Sequence, residues 1–387
     1  MQNDGPGRHV RVVTRAEESV AHHRAIELGD QRREGGRGTE AVGENPLGRE
    51  QPAVDPDVVV EVVGHFRQDR GLGGERPAHP DGGHGGIMRG RRGLSIRGTL
   101  RSEPMERSFP IVRHPTPGTR TPVLVSVPHY GTQPLPHITR DDYREPSFET
   151  FAYGFADAFV GDLYADLHMD GATVLATPFS RMFVDVNRRR DDFEHQDGEV
   201  RSRRGVVRTH TMRDAPIFAR PLALADLEER LRTLYDPYYT TLERLLTEIR
   251  EAYGYALLLD GHTGSPRRMK DHQVIIGTRH EATCAPELAA TAAAIFTRHG
   301  FEVHQNVSGY TGGNIVATYG NPRTRRVHAL QLEINAALLM ATTGEEFIAQ
   351  VKRGEIPERA EEGIARLRQC LREVLAALPP VLAAVHD

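Results

Sequence analysis

Two histidines follow short apolar runs in this chain. Residues 122–127 (PVLVSV) lead into Pro128-His129-Tyr130-Gly131, and residues 255–259 (YALLL) lead into Asp260-Gly261-His262-Thr263-Gly264. A catalytic zinc site takes three side chains from His and Asp/Glu and leaves one position open for water. His129 and His262 plus one carboxylate would meet that need. The glycine near each lets backbone approach closely and aim a ring inward. With 19 histidines in the chain, a single one is more often a surface or satisfied core residue. Only their joint placement after strand-like runs singles these two out.

Glu333 is a second focus. In residues 329–334 (ALQLEI) strand alternation puts Gln331, Glu333 and Asn335 on one face and Leu330, Leu332 and Ile334 on the other. A carboxylate there is paired, exposed on an edge strand, or functional, because burying it alone is expensive. A third cluster is Arg181, Asp185, Asn187 and Arg188, around the strand-like run 183–186 (FVDV). Arginine grips a carboxylate with two parallel hydrogen bonds, so Arg188, with Arg181, suits an anionic substrate. Arg189 and Arg190 read as a solvated loop. The loop 308–314 (SGYTGGN) lacks the lysine of a phosphate-binding loop and the dinucleotide pattern. Its Gly312 and Gly313 fit a turn that closes over a small ligand. No Gly-x-Ser-x-Gly elbow supports a serine hydrolase.

These residues need a scaffold that converges them. From residue 108 onward short β-rich runs alternate with longer amphipathic ones. Strands are expected at 122–127, 172–176, 183–186, 255–259, 273–277, 301–304 and 329–334. Helices are expected at 148–170, 225–253 (kinked or broken at Pro237), 285–299 and 358–385 (stopped or bent by Pro379-Pro380). Alternation of this kind predicts an α/β fold with a mostly parallel or mixed central sheet flanked by helices. Reactive groups in such sheets gather past the carboxyl ends of the strands, which places the segments that follow 122–127, 255–259 and 183–186 on one rim.

Composition bounds the rest. The 387 residues carry 49 basic and 53 acidic side chains, a net charge of −4 that gives no general pull toward nucleic acid. Two cysteines, Cys284 and Cys370, exclude a four-cysteine zinc ribbon and argue for a reducing compartment. No apolar run reaches the roughly 18–20 residues that cross a bilayer, and no signal-peptide pattern opens the chain, so no membrane is expected and the cytoplasm is the expected location. Residues 1–105 hold half of the 38 glycines. The stretch 71–92 has almost nothing to bury against an ordering cost of about 1–2 kcal/mol per residue, so a disordered low-complexity tail is expected, with only 58–66 (VVVEVVGHF) able to order. We expect a dispensable tail, a start near Met105, and one catalytic domain over 106–387.

Several segments occur together in an order that resembles the N-formylglutamate amidohydrolase family: Pro128-His129-Tyr130-Gly131, Ala156-Asp157-Ala158-Phe159-Val160, Ser180-Arg181, Val184-Asp185-Val186-Asn187-Arg188, Leu259-Asp260-Gly261-His262-Thr263, Gly312-Gly313-Asn314-Ile315 and His328 through Asn335. The resemblance spans residues 108–340. It implies a zinc-carboxypeptidase-like and aspartoacylase-like hydrolase fold and a Zn2+ ion held by His129, His262 and an acid. Asp157 stands where the family has an aspartate, with Asp162 and Asp260 as rivals. It further implies Glu333 as general base, Asn187 and Arg188 as carboxylate clamp, and a small acidic N-acyl amino acid, N-formyl-L-glutamate first, as substrate. Tyr130, Ala156, Gly261 and Thr263 depart from the usual family residues and bear on substrate identity. The alternatives are another N-acyl amino acid or a carboxylate-bearing peptide, and a binding protein without chemistry.

Overall fold

The computed structural model describes residues 109–144, 155–211, 214–355 and 357–387. The expectations for residues 1–105, and for 148–154 of the first helix, lie outside them.

Seven strands build the main sheet: β1 (Ile111–Arg113), β2 (Val123–Val127), β3 (Thr173–Ala176), β7 (Ala256–Gly264), β8 (Val274–Gly277), β9 (Val303–Gln305) and β10 (Val327–Asn335), in the order β1-β3-β2-β7-β10-β8-β9. The short strands β4 (His195–Gln196), β5 (Glu199–Val200) and β6 (Leu222–Ala223) form a separate antiparallel sheet. Neighbours β3, β2, β7 and β10 run parallel, while β1 is antiparallel to β3 and β8 to β10, with β9 parallel to β8. The sheet is therefore mixed, and the carboxyl ends of four adjacent strands share one rim. Every residue of β2, β7 and β10 is buried, as strands covered on both faces require.

Helices are α1 (Val160–Tyr164), α2 (Leu224–Arg230), α3 (Asp236–Tyr253), α4 (Pro266–Met269), α5 (Pro286–Arg298), α6 (Asn314–Tyr319), α7 (Gly344–Lys352) and α8 (Glu361–His386). Strand alternation divides the core. Val123, Val125, Val127, Leu257, Leu259, Leu330, Leu332 and Ile334 pack with α1, α5 and α8. Leu124, Ala256, Leu258, Val327 and Ala329 pack on the other face with Leu242, Leu245, Leu246 and Ile249 of α3. Each buried leucine here contributes enough that truncation to alanine costs roughly 2–5 kcal/mol. On that second face the chemistry changes halfway along the strands. Beyond Leu124, Leu258 and Ala329 the same register carries Ser126, Asp260, His262, Gln331 and Glu333, all buried. The face is apolar at the amino half and polar at the carboxyl half.

Five expectations are corrected. Residues 183–186 form no strand: Phe183 N–H bonds to Ser180 O at 3.0 Å and Asp185 N–H to Val206 O at 2.8 Å, so the hydrogen bonds go to turns. An apolar run of four buries equally well in a loop. The helix expected to Asp170 is broken in its described part. Asp157 N–H bonds to His129 O at 3.1 Å, and Phe159 takes a left-handed φ of 54° before α1 begins. The strand after Tyr255 continues to Gly264 rather than ending at Leu259. Finally, α8 runs through Pro379 and Pro380. Two backbone bonds are lost there, but Leu375, Leu378 and Leu382 stay buried and hold the helix on the sheet. Pro237 starts α3 instead of breaking it, after a wide π-type turn at Leu231–Tyr235. Among the described residues no helix is long and apolar enough to cross a membrane.

Candidate active site

His129 lies two residues beyond β2, His262 inside β7, and Asp157 on the loop that its backbone pins to His129. Their donor atoms all lie within 4.8 Å of one another, and the three side chains are buried. Asp157 Oδ1 is 3.3 Å from His129 Nδ1, and its Oδ2 is 2.9 Å from His262 Nδ1. Thr263 N–H donates to Oδ2 at 3.2 Å. The opposite ring nitrogens face other carboxylates: His129 Nε2 is 2.9 Å from Asp185 Oδ1, and His262 Nε2 is 3.0 Å from Asp260 Oδ2. Both imidazoles thus turn Nδ1 toward Asp157 and Nε2 toward an outer acid. Arg181 Nη1 donates to His129 Nδ1 at 3.0 Å, which assigns the proton of His129 to Nε2.

This donor set fits a divalent cation. The two carboxylate–imidazole separations, 3.3 and 2.9 Å, suit neighbouring tetrahedral ligands at roughly 2.0–2.1 Å from a shared ion. Histidine ligands characteristically donate their other N–H to a carboxylate, the place Asp185 and Asp260 occupy. Electrostatics agree. Burial alone would raise Asp157, but His129 and His262 outweigh it and hold the carboxyl far below the usual range. Burial would lower His262; Asp260, Glu333 and Asp157 instead raise it well above the ordinary histidine value. A cation taking its place at Nδ1 would therefore release a proton.

The outer layer is as constrained as the inner one. Asp185 is buried, yet Arg181 and His129 overcome the desolvation and keep it well below a normal carboxylate. Arg181 meets it through Nε at 2.9 Å and Nη2 at 2.6 Å. Asp260 accepts from Ser126 Oγ and from Asn187 Nδ2, each at 3.0 Å. Asn187 Oδ1 accepts from Ile315 N–H at 3.0 Å, tying the loop at 187 to α6. That contact needs a glycine before α6, since a Cβ on Gly313 would lie 2.7 Å from the Asn187 amide.

Glu333 on β10 pairs in register with His262 on β7. Burial raises its carboxyl above the usual value, against the pull of His262. Its Oε1 accepts from Gln331 Nε2, while Gln331 Oε1 is buried without a partner among the described residues. In front lies a cleft of about 200 Å³, lined by the two histidines, Asp157, Arg181, Asn187, Arg188, Glu333, the Gly312-Gly313 turn, and also Ser265, Arg268 and Tyr310.

The structure brings together His129, Asp157, His262, Glu333, Asn187, Arg188, Gly312 and Gly313. Of the rival acids, Asp162 is away on α1 in an ion pair with Arg359 at 2.8 Å, and Asp260 sits behind His262. Arg181 lines the cleft but is spent on Asp185 and His129, which removes it as an independent clamp; Arg188 is half-exposed and only loosely paired, 3.7 Å from Asp185. Glu333 is not on an edge strand, because β10 pairs on both sides. Arg268 was not foreseen: Pro266-Arg267-Arg268 reads as a solvated charged run, and only the length of β7 brings it to the cleft.

Comparison with known proteins gives the family and the fold. Residues 121–340 match the family model described as N-formylglutamate amidohydrolase. The chain is 30% identical over 233 residues to an N-formylglutamate deformylase of Pseudomonas putida, covering 58% of this chain and 84% of that protein. It is 30% identical over 267 residues to an N-formylglutamate deformylase of Pseudomonas aeruginosa, covering 66% and 94%. Its fold is shared with the crystal structure of an N-formylglutamate amidohydrolase from Ralstonia eutropha, at a TM-score of 0.57 and 23% identity over 71% of this chain and 98% of that one. The chain belongs to the N-formylglutamate amidohydrolase family.

Proposed function

We propose that this protein is a zinc-dependent amidohydrolase that converts N-formyl-L-glutamate and water to formate and L-glutamate. The observation that carries the reading is the pairing of His262 with Glu333 on adjacent parallel strands, at the floor of a small cleft that Arg188 also lines. The names of the relatives support the choice of substrate.

His129, Asp157 and His262 would hold the cation. When bound, it supplies Lewis-acid polarisation of the amide carbonyl and acidifies water. Arg188 grips a substrate carboxylate, with Asn187 beside it, and so orients the formyl group over the site. Glu333 removes a proton as the water oxygen bonds to the formyl carbon, then delivers it to the nitrogen as the C–N bond breaks. Asp185 and Asp260 fix the two imidazoles, and the Gly312-Gly313 turn closes the cleft over the ligand. A cleft of about 200 Å³ favours a formyl over a larger acyl group. Cys284 and Cys370 are buried free thiols, in keeping with a cytoplasmic location.

The test measures formate release from formyl-, acetyl- and succinyl-glutamate by the full chain, alongside elemental analysis. Glu333→Gln is expected to retain the metal and to lose roughly a hundred- to ten-thousandfold in turnover. Full activity in that variant removes Glu333 from the mechanism. Inertness toward every N-acyl glutamate with the metal bound would reject the reading altogether.

A further inference from the structure

A glutamate-derived substrate carries two carboxylates, and the cleft offers three guanidinium groups. Arg181 is committed to Asp185 in a two-pronged pair and to His129. Arg188 lies 3.7 Å from Asp185, next to Asn187, whose amide touches both Asp260 and His262. Arg268 is different. Among the described residues it makes no ion pair and no side-chain hydrogen bond, and it is exposed along the wall of the cleft.

Its position is nevertheless built. Helix α4 follows directly on β7. Arg268 N–H and Met269 N–H both donate to Ser265 O at 3.0 Å, and Lys270 N–H donates to Pro266 O at 2.8 Å. Met269 is fully buried, and its sulfur fills the place a Cβ on Gly264 would take. A buried neighbour on one side and a hydrogen-bonded turn on the other fix the backbone from which the Arg268 side chain springs.

We propose that Arg268 is the specificity-determining residue that reads the distal, side-chain carboxylate of the substrate, leaving the α-carboxylate to Arg188. The inference rests on the function proposed above. Bond counting makes the division. The α-carboxyl carbon is three bonds from the scissile carbonyl carbon, and the distal one is five. Arg188 is joined through Asp185 to His129 and belongs with the near group. Arg268 is six residues beyond His262, on a helix outside the ligand cluster, and belongs with the far one. The cleft already holds Asp157, Asp185, Asp260 and Glu333 in or just behind its walls. A second substrate carboxylate placed there without its own cation would meet only repulsion. A planar guanidinium also selects by geometry, since it matches both oxygens of a carboxylate and not an amide.

The experiment compares kcat/KM for N-formyl-L-glutamate and N-formyl-L-glutamine in the full wild-type chain, Arg268→Gln, Arg268→Lys and Arg188→Gln. Loss of charge-assisted hydrogen bonds predicts that Arg268→Gln reduces the glutamate preference roughly ten- to a hundredfold, chiefly through KM. Arg268→Lys should recover part of that preference. Arg188→Gln should weaken both substrates alike, because both keep the α-carboxylate. A wild-type preference that survives Arg268→Gln, or equal losses on both substrates, overturns the assignment while leaving the proposed reaction standing. Release of formate from neither substrate by the wild type overturns the reaction, and this assignment with it.

Discussion

Asp185→Asn tests whether the outer carboxylates hold the site together. Asp185 receives four donors: Arg181 Nε at 2.9 Å, Arg181 Nη2 at 2.6 Å, His129 Nε2 at 2.9 Å and its neighbour Asn187 N–H at 3.0 Å. Asparagine is nearly the same size but offers one acceptor oxygen and turns an NH2 toward groups that are themselves donors. It also leaves the buried guanidinium of Arg181 without its closest counter-charge. Breaking a buried pair from one side costs about 3–5 kcal/mol. With a urea slope of about 3 kcal/mol/M, the unfolding midpoint should fall by roughly 1–1.7 M. Because the Asp185 carboxyl sits well below its ordinary value, this stabilisation is complete above the unfolded pKa. It is lost only as pH drops beneath that value toward the folded one, so the measurement belongs at neutral pH. Removing both partners, Arg181→Met with Asp185→Leu, should restore much of the stability, since an apolar pair leaves no charge stranded. With the proposed zinc site, the single variant should also bind the metal roughly ten- to a hundredfold more weakly in chelator competition, as His129 loses its orienting partner. A midpoint within about 0.3 M of wild type together with intact zinc affinity would refute the account of Asp185 as the keystone of this layer.

Two further outcomes follow from single contacts. Gly313→Ala places a Cβ 2.7 Å from the Asn187 amide, so Asn187 must leave Asp260 or Ile315; kcat/KM should fall roughly tenfold or more. Gly344→Ala, whose Cβ meets nothing closer than Pro266 at 3.6 Å, is the matched control, and equal effects of the two would discredit the close-approach argument. His328 concerns pH. Burial, helped by His386 and opposed by Glu287, lowers its pKa to about 4, and its Nδ1 accepts Ala285 N–H at 3.1 Å. Between the ordinary histidine value of about 6.5 and 4 the unfolded chain binds more protons. Stability should therefore be complete above about pH 6.5 and decline on acidification through that window. Replacing His328 by Gln, which can still accept from Ala285, should flatten the dependence of the urea midpoint between pH 7.5 and 5; an unaltered slope would exonerate His328.

What was legible in the sequence divides along one physical line. Strand alternation is local, so it told which face of residues 329–334 is apolar and set Glu333 opposite that core; Leu330, Leu332 and Ile334 do line one side of the sheet. The convergence of His129 and His262 also followed, because parallel strands bring their carboxyl ends to one rim whatever the intervening chain does. The run 183–186 was misread for the complementary reason. Phe183, Val184 and Val186 are buried, but burial in a loop packed by tertiary contacts leaves the same apolar letters as burial in a strand. Asp157 carried no periodic signal of its own and was reached only through resemblance, since what places it is a backbone bond to His129 across 28 positions of chain.

The site itself is where one sheet face stops being hydrophobic. Ser126, Asp260, His262, Gln331 and Glu333 occupy registers that Leu124, Leu258 and Ala329 would otherwise continue, so the same backbone that buries the core also removes these groups from water. Each would be costly alone. In company nearly all are satisfied, Gln331 Oε1 alone of these five side chains having a buried atom with no partner among the described residues, and both imidazoles turn Nδ1 toward the central carboxylate. The rigidity comes from β7 and β10, paired over nine residues, while the arginines proposed to meet substrate stand on a loop and a short helix at its margin. Chemistry fixed on strands and selectivity carried by their extensions can change independently. On this arrangement, exchanging Arg268 should alter which N-formyl amino acid is cut without disturbing how the cut is made.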